Sequence, residues 1–210
     1  MPAQAKRLRA LARHASAERE AQLERCELCG EPLPSAHRHM LDLESRQLLC
    51  ACRACTVLFD RREAGGSHFR LVPDRRLLLE DFALDDVTWA RLRIPVDVAF
   101  FLYHGGMDRM MAFYPSPMGP TESQLELTAW DELLTANPVL VTLEPDVEAV
   151  LVNRVRGSRQ HFLVPIEDAY RLVGLIRSRW RGLSGGAEVW REIEGFFTDL
   201  ARSSKKVTTN

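Results

Sequence analysis

The common catalytic signatures are missing from this chain. No Walker-type phosphate loop, no GxSxG and no HExxH occurs in its 210 residues, which removes the readiest routes to phosphoryl transfer, serine hydrolysis and zinc proteolysis. An excess of charge is missing too. The formal net charge is -1, so no global field gathers nucleic acid or an anionic membrane. Long hydrophobic runs are absent. The longest, Val98 to Tyr103, falls far short of the roughly 18–20 residues a membrane span needs. The N-terminal stretch is basic but lacks an apolar run and a small-residue cleavage site, so no secretory signal is expected. Cysteine is scarce: there are five, and four of them fall in CxxC pairs. With no export signal expected, that usage favours metal binding over a disulfide framework and predicts a cytoplasmic location.

What is present is ordinary globular material. Apolar residues make up 46% and charged residues 27%, enough to bury a real core. The positive charge is almost all arginine, which suits fixed ion pairs and interface contacts. The length allows a small module beside a mid-sized one.

The pattern predicts an α+β protein: an N-terminal four-cysteine zinc ribbon followed by a mixed sheet domain with C-terminal helices. Residues 1–24 read as a helix rich in Ala, Arg, Leu and Glu. The zinc-ribbon module takes 25–72. In it, alternation from His37 to Leu43, a turn at Glu44-Ser45-Arg46 and a return through Leu49 make a hairpin. Thr56–Phe59 and His68–Val72 read as two further strands around Gly65-Gly66. Residues 73–94 read as a linker in which Asp85 or Asp86 caps a short turn holding Trp89.

The α+β domain takes 95–202. Val96–Tyr103 and Arg109–Tyr114 form a hairpin. Pro115, Pro117 and Pro120 hold the next loop out of regular structure. A short helix over Trp130–Thr135 follows, then strands over Val139–Leu143, Val147–Val155 and Gln160–Val164. Pro165 opens a helix, and a last helix spans Ala187–Ala201. Residues 203–210 read as a disordered tail.

Chemistry concentrates at Cys26-Glu-Leu-Cys29 and Cys52-Arg-Ala-Cys55, separated by twenty-two residues. Two residues between cysteines let a tight turn aim both sulfurs at one ion. A hairpin between the pairs sets the second turn opposite the first, and four thiolates complete a tetrahedron. Cys26, Cys29, Cys52 and Cys55 are therefore the expected metal ligands. Zinc is the expected ion, with a single iron as the alternative. The first pair with Gly30 resembles a rubredoxin knuckle. The second departs from it, with Thr56 where rubredoxin has glycine and Arg53 where it has proline. A closed four-thiolate sphere leaves no position for a reacting water, so a structural role is expected.

Cys50 reads as a buried bystander or as a replacement ligand. His37 and His39 read as strand-surface residues or as ligands of a mixed site. His104 with nearby Asp108 reads as a turn histidine rather than a catalytic pair. Asp146, Glu148, Glu167 and Asp168 read as turn and helix-start charges. Tyr114 and Met118 in the proline loop offer a contact surface. Arg53, Arg61 and Arg62 could meet phosphates, but without a net basic charge the signal is weak. No residue is assigned a catalytic role, and the chain is expected not to be an enzyme.

The chain also resembles an uncharacterised bacterial family whose members tend to be encoded beside nickel–iron hydrogenase genes. The likeness rests on Cys26-Glu-Leu-Cys29-Gly30, Cys50-Ala-Cys52-Arg-Ala-Cys55, Pro145-Asp146-Val147-Glu148-Ala149, Val152-Asn153-Arg154 and Val164-Pro165-Ile166. It continues through Tyr170–Arg177 to Gly185-Gly186, covering most of 25–202. The resemblance implies an accessory protein for hydrogenase assembly or subunit docking, with hydrogenase subunits or maturation factors as partners. It supplies no active-site residues. A rubredoxin-like iron electron carrier serving a hydrogenase and a nucleic-acid-binding zinc ribbon are the alternatives.

Overall fold

A computed structural model describes residues 24–59, 68–123, 127–182 and 185–209. The helix expected over 1–24 and the turn at Gly65-Gly66 lie outside the described residues. The chain divides into two compact units, residues 1–71 and 72–210, and the fold is mixed α+β.

In the first unit, strands β1 (Arg38–Asp42), β2 (Leu48–Ala51) and β3 (Phe69–Leu71) form an antiparallel sheet in the order β2-β1-β3. The expected hairpin is present. Asp42 closes its turn by accepting from the Glu44 amide at 2.9 Å and the Ser45 hydroxyl at 2.8 Å, an aspartate doing what short polar side chains do in turns. Arg38 pairs with Ala51 and His39 with Cys50. Helix α1 (Arg53–Phe59) replaces the strand expected at Thr56–Phe59. Cys52 starts a helix there instead. Its carbonyl accepts from the Thr56 amide at 3.0 Å and its sulfur from the Cys55 amide at 3.4 Å. Among the described residues Cys26, Leu33, Met40, Ala51 and Cys55 form one small buried cluster, with Phe59 and Phe69 packed against it and edge to face with each other.

The second unit is built on a seven-stranded sheet in the order β10-β4-β9-β8-β5-β6-β7. Its strands are β4 (Leu77–Leu79), β5 (Val98–His104), β6 (Arg109–Ser116), β7 (Gly119–Ser123), β8 (Glu148–Asn153), β9 (Gln160–Pro165) and β10 (Lys205–Val207). Only the β10–β4 pair is parallel. Its helices are α2 (Asp86–Arg91), α3 (Leu127–Ala136), α4 (Ile166–Arg179) and α5 (Gly186–Ser203).

The central strands are buried on both faces, so they read as near-continuous apolar runs. Side chains alternate across a strand. Phe101, Val150, Val152 and Leu163 pack with Trp130 and Leu133 of α3, whereas Phe162 stacks on Phe197 of α5 at 6.0 Å. Each such fully buried side chain contributes about 1.5–3 kcal/mol. Gly185, which caps α5, sits at φ +83°, and a Cβ there would meet Val189 at 2.8 Å. Only glycine fits without a shift.

Four expectations in this unit need correction. Residues 73–94 contribute β4 and α2 rather than a bare linker. Leu79 is core, and Asp85 caps α2 through the Thr88 amide at 2.7 Å, as expected. Of the tail expected over 203–210, the described residues 203–209 are not loose, because β10 extends the sheet and the Thr209 amide donates to Asp81 at 2.5 Å. The proline loop is a hairpin, with Pro115 opposite Pro120. Pro120 is tolerated because β7 is an edge strand, and Pro115 lies beyond the last β5–β6 pair, Phe100 with Phe113. Finally, Pro138–Thr142 is a 3₁₀ turn, not a strand. Buried Asn137 fixes it by accepting from the Ala83 amide at 2.7 Å and donating to the Leu133 carbonyl at 2.9 Å.

Candidate metal centre

The first cysteine pair lies on a tight knuckle. The Gly30 amide donates to the Cys26 carbonyl at 2.7 Å, and the Cys26 amide to Glu31 at 2.8 Å. Gly30 takes φ +79°, the left-handed conformation that glycine adopts at least cost. The knuckle is bolted to β2 by a reciprocal pair of bonds. The Glu27 amide donates to the Cys50 carbonyl at 2.9 Å, and the Cys50 amide to the Glu27 carboxylate at 2.6 Å. The second pair opens α1 at the end of the same hairpin.

This knuckle–hairpin–helix arrangement brings Cys26, Cys29, Cys52 and Cys55 together. One sulfur of each lies within 4.8 Å of all the others, so the group could hold a metal ion. The Cys29–Cys52 sulfur separation is 3.7 Å. Ligands about 2.3 Å from a tetrahedral ion stand about 3.8 Å apart, so that spacing suits a shared metal. All five cysteines are free thiols. Cys26 and Cys55 are buried and Cys29 is exposed.

The thiols differ in acidity. Burial pushes Cys26 up, but the Cys52, Leu28 and Cys29 amides outweigh it and bring it down to about 6. For Cys55, burial and then the neighbouring thiols raise the pKa. One thiolate is thus available near neutral pH. The ion would displace the remaining protons as it binds, as thiolate sites require.

Cys50 does not join this group. It is half-buried, and burial followed by the Glu27 and Glu24 charges raises its pKa. It lies instead with His37 and His39. His104 stands 3.9 Å from Asp146, while Asp108 accepts a hydrogen bond from Tyr103. The expected turn histidine therefore has a different acidic neighbour from the one its spacing suggested.

Two of the expected turn and helix-start charges are buried ion-pair partners. Glu148 accepts from Arg75 at 2.5 Å, and Asp168 from Arg76 at 2.5 Å. Their pairing was hidden because both arginines stood in what read as a linker. A signal was available in the adjacent Arg75-Arg76, two fixed cations ahead of an apolar Leu77-Leu78-Leu79 run.

No curated protein and no solved structure matches the chain. The model of a Family of unknown function (DUF5947) matches residues 25–204.

Proposed function

Since the chain belongs to that family of unknown function, whose description assigns no chemistry, we propose that it is a non-enzymatic accessory protein built around a structural zinc ion. The observation that carries this reading is the convergence of four cysteine sulfurs, from a knuckle and a helix start, into one closed donor set. Four thiolates fill a tetrahedral sphere and leave no place for substrate. The ion would then fix the hairpin and α1 as a rigid surface for a protein partner.

The resemblance to proteins encoded beside nickel–iron hydrogenase genes supports assembly or subunit docking of that enzyme as the process served. Zinc is favoured over iron because the second pair starts a helix, with a bulky arginine and a threonine where a rubredoxin-like knuckle carries proline and glycine. Natively purified protein should be colourless and carry one zinc in the four-cysteine site. A red, iron-containing protein would replace this reading with the electron-carrier one. Deleting the gene should lower the yield of mature hydrogenase. A deletion strain with fully assembled, fully active hydrogenase would remove the accessory role.

A further inference from the structure

We propose that His37, His39 and Cys50 form a second metal site, separate from the four cysteines. It takes a borderline divalent transition ion such as Zn²⁺ and keeps one coordination position open. The three side chains each offer a ligand atom within 4.8 Å of the other two.

The fold explains why they meet. His39 and Cys50 are direct cross-strand partners in the β1–β2 ladder, so their side chains leave the sheet on the same face. His37 lies just before β1, two residues ahead of His39, and its ligand atom falls within reach of the other two. The two imidazoles stand 4.9 Å apart, centroid to centroid.

The orientation of His37 favours ligation. Its Nδ1 lies 3.0 Å from the Pro34 carbonyl oxygen. A carbonyl can only accept, so Nδ1 is the donor here, and in the neutral ring Nε2 is then the nitrogen with the lone pair. Backbone carbonyls hold metal-binding histidines in this way, fixing both tautomer and ring plane. The Nε2 atom is buried and makes no hydrogen bond. The nearest carboxylate, Glu24, stands 3.6 Å from it. A buried ring nitrogen with no hydrogen bond is unusual for a strand-surface histidine, and it suits a metal ligand.

Two imidazoles and one thiolate suit zinc and its neighbours in the first transition row, not magnesium or calcium. Three protein ligands leave a fourth position, open to Glu24, to water or to a partner's side chain. The site therefore differs in kind from the closed one. Its ion can be reached and exchanged. The inference stands whether the four cysteines carry zinc or iron.

Metal-stripped, fully reduced full-length protein titrated with Zn²⁺ and then with Co²⁺ tests it. The expected result is two ions per wild-type chain by elemental analysis. Cys50→Ser and His39→Asn should each lower that to one, while the four-thiolate cobalt spectrum persists. Cys29→Ser should abolish that spectrum, and because the β1–β2 hairpin depends on the first ion, the second ion should be lost with it. Circular dichroism guards against a variant that merely unfolds. A wild-type chain that saturates at one ion, or a Cys50→Ser chain that still binds two, overturns the second site. The four-thiolate cobalt spectrum reports separately on the first.

Discussion

His161 sits in β9, 4% exposed, with its ring stacked on Phe82 at 4.7 Å. Its Nε2 atom is buried and has no hydrogen-bond partner. Burial first, then the positive charges of Arg154 and Arg159, lower its pKa from 6.5 to about 4. The folded protein therefore holds this imidazole neutral at a pH where the unfolded chain would protonate it. Between pH 6.5 and 4 the unfolded state binds more protons, so stability falls as the pH drops. The contribution is complete above pH 6.5 and gone below 4. A shift of this size corresponds to roughly 3 kcal/mol in all. His161→Phe keeps a ring against Phe82 and removes the titration. Urea unfolding at pH 7 and pH 4.5 should show the wild type losing about 2 kcal/mol more than the variant. Equal losses would mean that His161 is solvated in the folded state.

At the scale of elements, β10 is three residues long, yet it completes the edge of the seven-stranded sheet. The Lys205 amide donates to the Arg76 carbonyl at 2.8 Å, and the Glu80 amide to the Val207 carbonyl at 3.1 Å. Beyond the strand, Thr209 donates to Asp81 and accepts from the Val139 amide at 3.3 Å. Four bonds at about 0.5–1.5 kcal/mol each amount to about 4 kcal/mol. Ending the chain after Ser204 should lower the unfolding free energy by that amount, read as a lower denaturant midpoint with the slope nearly unchanged. An unaffected midpoint would show that the strand pairs only weakly.

The same element marks where the sequence stops being legible. Val98–His104, Glu148–Asn153 and Gln160–Pro165 were readable because strands buried on both faces must be continuously apolar. The helix faces of α4 and α5 were readable from their 3.6-residue spacing. Lys205-Lys206-Val207 is polar, and its strand exists only because β4 offers a free edge far away in sequence. The 3₁₀ turn after Asn137 is fixed by an amide whose partners are likewise remote. The four-cysteine group was legible residue by residue, since CxxC spacing states its own geometry. The company of Cys50 was not, because it depends on β1–β2 register rather than on spacing.

The two units of the molecule draw on different sources of stability. Residues 72–210 bury a large apolar core on both sheet faces. Among the described residues of 1–71, six apolar side chains are buried, two of them the proposed ligands Cys26 and Cys55. A core that small does not hold a fold of this size by itself. Structural metal can supply the difference, since binding at four-ligand zinc sites contributes on the order of 10 kcal/mol in small peptides. Removing the ion with a strong chelator under reducing conditions should therefore unfold the first unit and spare the second. Hydrogen exchange read by mass spectrometry can follow both at once. Protection should vanish across Arg38–Ala51 and persist across Val98–His104 and Glu148–Pro165. Residues 72–210 expressed alone should show the same unfolding transition, unmoved by chelator. Retained protection at Arg38–Ala51 after complete metal loss would mean that the hairpin and α1 stand on packing alone. The four sulfurs would then be neighbours that the fold does not need for its stability.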